Sequence, residues 1–218
     1  MLFLVTTTLR PPPHPVRGRL NAAFFRTMDG YIHRHLGDRK AALLTDLPPT
    51  VVELGAGTGA NMRYYAPGTR VIAIEPNPSM HGPLRESAAR HRIALEIRAV
   101  GAEDTGLPDG SVDAVVSTLV LCTVVDPSAA VAEVRRILRP GGRFVVLEHV
   151  AAPEDGLRAR LQRRLWTGWR WAFEGCDLQR HTGELLARAG FADVALERYR
   201  AGWLFLPVDD QIAGTLRR

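Results

Sequence analysis

A chain that reads Val51-Val52-Glu53-Leu54-Gly55-Ala56-Gly57-Thr58-Gly59 has few folds open to it. The apolar run reads as a buried strand that ends in an acid. Three glycines at alternate positions then read as a tight turn, where backbone approaches a ligand without Cβ clashes. Val71-Ile72-Ala73-Ile74-Glu75-Pro76 follows as a second buried strand, again ending in an acid. A carboxylate about 20 residues beyond a glycine loop is where a nucleotide's ribose hydroxyls are gripped. A glycine triplet alone also occurs in ordinary strand-to-helix turns. The two acids at this spacing favour a nucleoside-containing ligand.

The spacing narrows that ligand. A dinucleotide fingerprint is G-x-G-x-x-G with the pyrophosphate at a helix N-terminus. Here it is G-x-G-x-G, with Glu53 directly before the loop. A buried carboxylate repels a pyrophosphate and favours a cation. S-adenosylmethionine, with an amino group, a sulfonium and an adenosine, fits. The stretch resembles the first signature of the class I S-adenosylmethionine-dependent methyltransferases.

Downstream, strands are predicted at 50–54, 70–75, 93–99, 112–117 and 143–149. Helices are predicted near 58–65, 78–90, 127–138, 155–173 and 180–189. This alternation predicts an α/β fold: a Rossmann-like, mostly parallel sheet with helices on both faces. Segments 194–199, 201–206 and 211–216 lack a clear intervening helix, which predicts an antiparallel edge. Ligands of such sheets sit at the carboxyl ends of the strands, which gathers Glu53, Glu75, Glu103, Thr118 and His149 on one edge. Residues 1–19 read as a Pro-rich tail and 20–218 as one domain. Its first part, 20–47, carries apolar residues at helical spacing (Phe24, Met28, Tyr31 or Ile32, Leu36, Leu43) and reads as a helical cap, with a possible break near Gly37.

Composition sets the outer limits. The 218 residues are 46% hydrophobic, enough for one sizeable core. The net charge is +5, but the basic residues are scattered arginines and Lys40 is the only lysine. No basic-aromatic module accompanies them, so nucleic-acid binding is not expected. Cys122 and Cys176 lie far apart without metal-ligand spacing, so neither a metal site nor a disulfide is expected. A reducing, cytoplasmic setting suits them. The apolar opening at residues 1–5 is too short for a membrane span.

Further motifs carry the resemblance. Arg136-Ile137-Leu138-Arg139-Pro140-Gly141-Gly142 resembles the methyltransferase signature before the fifth strand, a structural turn. Ser117-Thr118-Leu119-Val120-Leu121-Cys122-Thr123-Val124, Leu147-Glu148-His149-Val150-Ala151-Ala152 and Phe173-Glu174-Gly175-Cys176-Asp177-Leu178-Gln179-Arg180 are more specific. With Gly57-Thr58-Gly59-Ala60-Asn61 and Glu75-Pro76-Asn77-Pro78, they resemble the thiol S-methyltransferases known from animals, from about Leu20 to the C-terminus. Animal members carry a hydrophobic N-terminal anchor.

The resemblance implies S-adenosylmethionine as cofactor and a small apolar acceptor, most readily a thiol. Ring carbons, hydroxyls and amines remain alternative acceptors, and a non-catalytic scaffold is a third reading. The cofactor side is assigned to Glu53, Gly55, Ala56, Gly57, Thr58, Gly59, Glu75, Pro76, Thr118 and Leu119. Gly101-Ala102-Glu103 is added as the loop that contacts adenine in the family, where an acid commonly stands at the position of Gly101. Phe24, Met28, Tyr31 and Cys122 are assigned to the acceptor. Trp166, Trp169 and Phe173 fall at i, i+3 and i+7 on one helix face, either core or acceptor wall. His149 is the candidate base or a structural partner.

Overall fold

A computed structural model describes residues 15–154, 156–203 and 207–218. Its centre is a seven-stranded sheet in the order β3-β2-β1-β4-β5-β7-β6. The strands are β1 (Thr50–Leu54), β2 (Arg70–Ile74), β3 (Ala94–Arg98), β4 (Val112–Thr118), β5 (Leu138–His149), β6 (Asp193–Arg200) and β7 (Asp210–Arg217). β1 to β5 are parallel, and β7 runs antiparallel to both β5 and β6. Successive strands leave β1 on one side as β2 and β3, then return to its other side as β4 and β5. That reversal opens a crevice at the carboxyl ends of β1 and β4, the place where such sheets bind ligands.

The inner strands are apolar on both faces because helices cover both. Val52, Leu54, Val115, Phe144 and Val146 pack on one side with the helix α3 (Pro127–Ile137). Val51, Val71, Ala73, Val116 and Val145 pack on the other with α2 (Pro78–Arg90). Local chemistry starts these helices. The Asn77 side chain accepts from the Ser79 N–H, the Asp126 side chain from the Ser128 and Ala129 N–H groups, and each helix opens with proline at its first turn. Two further helices, α4 (Leu157–Ala172) and α5 (Thr182–Arg188), follow β5.

Three expectations change. The helix expected near 58–65 is reduced to one 3-10 turn, Met62–Tyr64. Gly55, Gly57 and Gly59 all take positive φ (52°, 55° and 82°), which keeps the chain out of the helical region until Ala60. The N-terminal helix α1 (Pro15–Leu43) starts earlier than residue 20 and runs unbroken through Gly37. The cost of about 1 kcal/mol for an interior glycine is offset because Leu36, Gly37 and Lys40 are buried against the domain. Residues 201–203 form no strand, so among the described residues β6 and β7 make the antiparallel edge; 204–206, like residues 1–14 of the expected tail, lie outside the described residues.

Candidate functional site

The crevice at the β1 and β4 ends widens into a cavity of about 360 Å³, a size suited to a small-molecule ligand. Its floor is the glycine loop after β1. Gly55 must be glycine: besides its positive φ, a Cβ there would lie 2.7 Å from the Val120 methyl groups. α1 crosses above and contributes Phe24, Met28, Tyr31 and Lys40 to the lining. Glu53, Ala56, Gly57, Thr58, Glu75, Pro76, Gly101, Ala102, Glu103, Thr118 and Leu119 also reach the cavity. Gly59 does not line it. A Cβ at Gly59 would lie 2.8 Å from Ser87 Cβ, so its requirement is close packing against α2.

Glu53 is the centre of a buried polar network. The side chain is 1% exposed. Its Oε1 accepts from Asn61 Nδ2 at 2.9 Å and its Oε2 from the Tyr65 hydroxyl at 2.8 Å. Asn61 Nδ2 also donates to Thr118 Oγ1, and Asn61 Oδ1 accepts from Lys40 Nζ at 2.9 Å. Burial pushes the Glu53 carboxyl up to about 7, against the pull of Tyr65, Asn61 and the Lys40 charge. Burial likewise brings Lys40 down to about 8, opposed by the charges of Glu53 and Asp29. Sequence reasoning did not assign Lys40, Asn61 or Tyr65 to the site. The solitary lysine inside an otherwise arginine-only set was the available signal.

Glu75 closes the second strand. Its Oε2 accepts from the Gly57 N–H and its Oε1 from the Asn77 N–H, both at 2.8 Å. The carboxylate thus holds the glycine loop in place while each oxygen keeps a lone pair for a further donor. Burial raises its pKa, and the two backbone N–H groups work against that rise. Glu103 is partly committed as well: its Oε1 accepts from the Val125 N–H at 2.8 Å and fastens the approach to α3. Two buried carboxylates on one cavity suit a ligand that brings a cation and hydroxyl donors, and repel a pyrophosphate.

The opposite wall is apolar. The Phe24 and Phe173 rings lie 5.3 Å apart between centroids, and Trp169 and Phe173 4.3 Å. Trp203, which sequence reasoning did not single out, joins them in the lining. Trp166 does not. Its indole donates to Asp177 Oδ1 at 2.8 Å, whereas Trp169 and Phe173 line the cavity.

At the end of β5 the same cavity meets a cluster that the sequence spacing hid. His149 Nε2 lies 3.2 Å from Cys176 Sγ, Trp169 Nε1 donates to that sulfur at 3.2 Å, and Cys122 Sγ is 3.6 Å from it. The hydrogen bond between the two sulfurs holds the Cys176 thiol well below its usual value, with His149 and Trp169 helping and burial opposing. That same bond, with burial, pushes Cys122 up. Burial opposes a charge on His149, but the negative Cys176 sulfur outweighs it and the imidazole pKa rises.

Glu148 holds the loop that carries Cys122. Its carboxylate is fully buried and accepts from the Ser117 hydroxyl and from the Val120 and Leu121 N–H groups. The turn it grips includes Leu119 at φ 59°, a left-handed conformation that is rare for leucine. Arg180 clamps the same loop through the Leu121 and Val124 carbonyls, and the Asp177 N–H donates to the Cys122 carbonyl.

Comparison with known proteins agrees with this geometry. Residues 52–146 match the family model described as a methyltransferase domain. The chain is 41% identical to the thiol S-methyltransferase TMT1B of Homo sapiens over 167 residues, covering 75% of this chain and 68% of the relative. It is also 41% identical to the human thiol S-methyltransferase TMT1A over 155 residues, 70% of this chain and 64% of the relative. A putative methyltransferase solved in complex with the Trm112 activator of Haloferax volcanii superimposes with TM-score 0.70 at 18% identity, over 93% of this chain and 96% of that one.

Proposed function

Because this chain belongs to the class I S-adenosylmethionine-dependent methyltransferases, we propose that its acceptor is the sulfur of a small apolar thiol. The observation that carries the reading is the 41% identity with thiol S-methyltransferases over three quarters of the chain. The apolar wall of Phe24, Trp169, Phe173 and Trp203 supports an apolar acceptor.

When bound, S-adenosylmethionine supplies a methyl group that is already electrophilic. The chain therefore has to bind, align and exclude water. Glu53 faces the cationic end of the cofactor, with Asn61 and Lys40 fixing its orientation. Glu75 holds the ribose hydroxyls while keeping the Gly57 loop closed. Gly101, Ala102 and Glu103 border the base. Phe24, Met28 and Tyr31 on α1 cover the site and keep water out.

A free thiol with pKa near 8.5 is only partly ionised at neutral pH, and the thiolate is the nucleophile. The structural wall where that ionisation takes place in this reading is His149 with Cys122 and Cys176. His149 Nε2 is already committed to Cys176, so it acts as part of that group and not as an isolated base. Assistance of this kind is worth about 10²–10⁴ in rate. A reducing, cytoplasmic setting belongs to the same proposal.

The direct test is methyl transfer from labelled S-adenosylmethionine to a panel of thiols, phenols, amines and quinols. Thiols are expected to accept the label most efficiently. Label found only on amines, ring carbons or hydroxyls rejects the thiol reading.

A further inference from the structure

The sulfur atoms of Cys122 and Cys176 and a ring nitrogen of His149 all lie within 4.8 Å of one another. The S–S separation is 3.6 Å and the Nε2–S separation 3.2 Å. A tetrahedral zinc ion with two thiolates at about 2.3 Å and an imidazole at about 2.0–2.1 Å has edges of roughly 3.8 Å between sulfurs and roughly 3.5 Å from sulfur to nitrogen. These two edges fall a few tenths of an ångström short of the ideal and the third, from Cys122 to His149, lies within 4.8 Å, so an ion fits once the three side chains adjust around it. We propose that Cys122, His149 and Cys176 form a binding site for one thiophilic cation, Zn²⁺ being the fitting choice, with its fourth position open to the acceptor sulfur.

Four observations support a built site. The three residues come from separate segments, the β4 loop, the end of β5 and the α4–α5 connection, and each is buried. Their backbones are held by contacts other than the cluster itself, through Glu148, Arg180 and the Asp177–Cys122 bond. The Trp169 N–H directed at Cys176 is the outer-shell donor that a ligating thiolate ordinarily has. All three residues line the cavity, so the position that the protein leaves open faces the ligand. Three protein ligands and one open position is the composition of catalytic rather than structural zinc sites, and two sulfurs with one imidazole select a soft or borderline ion. Ligation through Nε2 puts the His149 proton on Nδ1, which is buried without a hydrogen-bond partner.

The acceptor half of this proposal rests on the thiol reading above. Coordination breaks the acceptor S–H bond and its proton leaves to water. The coordinated sulfur donates an electron pair to the methyl carbon. The bond from that carbon to the sulfonium sulfur breaks, and its pair stays on the sulfur of S-adenosylhomocysteine. The neutral thioether is a weaker ligand than the thiolate and departs.

The test uses the full chain, reduced and stripped of metal, titrated with Zn²⁺ against a chromophoric chelator and separately with Co²⁺. One equivalent is expected to bind, and cobalt should show thiolate charge-transfer absorption. Cys122→Ser and Cys176→Ser should each weaken Zn²⁺ binding by more than the roughly 10–100-fold that losing an outer-shell partner costs. Retained S-adenosylhomocysteine binding certifies their folding, and Trp169→Phe, which keeps all three ligands, gives a milder loss. No stoichiometric Zn²⁺ binding, or a cobalt spectrum unchanged in both serine variants, overturns the site. A thiol acceptor should perturb the cobalt spectrum and need the metal for turnover. Full thiol turnover by metal-free protein rejects the metal while leaving the thiol reading intact. Stoichiometric metal with methylation of amines alone does the reverse.

Discussion

Lys40 Nζ donates to Asn61 Oδ1 at 2.9 Å, and through Asn61 the helix above the cavity is tied to the Glu53 carboxylate at its floor. Lys40 and Glu53 are each nearly inaccessible to water, and each is displaced toward neutrality. A cationic ligand arriving beside Glu53 therefore meets a group close to its own titration.

The first prediction concerns pH. The Glu53 carboxyl is raised to about 7 in the free protein, and only its ionised form attracts a cation. Below that value binding must expel a proton, so S-adenosylmethionine affinity should fall by up to about tenfold for each pH unit below 7 and level off above it. Lys40→Met removes the positive charge that favours the carboxylate and should move the midpoint to higher pH. Calorimetry in buffers of different ionisation enthalpy reads both affinity and proton release. A flat profile from pH 5.5 to 8 in the parent would remove Glu53 from cofactor binding.

Glu75→Ala should weaken cofactor binding by at least about a hundredfold. Charge-assisted hydrogen bonds are worth about 1.5–3 kcal/mol each. The side chain accepts from the Gly57 and Asn77 N–H groups, and in the proposed complex it also accepts from the ribose hydroxyls. Thermal melting should still show a cooperative fold. A folded variant that binds as the parent does refutes the assignment.

Glu148→Gln tests the loop anchor. The amide places a donor where three donors already converge, at a cost of about 2–3 kcal/mol. Denaturant melts should register that loss, and Cys122 should react faster with a thiol reagent as its loop loosens. Unchanged stability and labelling would mean that Arg180 and the Asp177–Cys122 bond hold the loop without Glu148.

His149→Ala should affect two thiols unequally. A weakly acidic thiol, assayed below its pKa, depends on the wall for its thiolate and should lose about 10²–10⁴ in kcat/KM. An acidic thiol, already ionised, should lose far less. Equal losses on both, with weaker cofactor binding or a lower Tm, would make His149 a positioning residue.

Much of the fold could be read from local pattern. β1 with its glycine loop, β2 ending at Glu75, and the caps at Asn77 and Asp126 are decided by residues within a few positions of each other. Apolar runs, glycines and capping side chains act at that range, so strand order aside, the alternation pointed to a parallel sheet. The failed helix at 58–65 was also a local matter: the helix expected after the glycine loop gives way because Gly55, Gly57 and Gly59 all take positive φ.

What only the tertiary structure decided are the partnerships between distant residues. Lys40 meets Asn61 across 21 positions, Cys122 meets Cys176 across 54, and His149 meets Cys176 across 27. No spacing rule connects them, because the sheet brings strand ends together in the order β1, β4, β5 while the chain visits them far apart. Trp166 and Trp169 make the same point within one helix. Both belong to a single periodic stripe, yet Asp177 takes one indole and Cys176 the other. The sequence by itself determined the sheet, its glycine loop and the cofactor class, since those follow from steric and charge preferences of adjacent residues. The fold alone decided which buried polar groups pair, because that depends on which distant segments share the same water-free space.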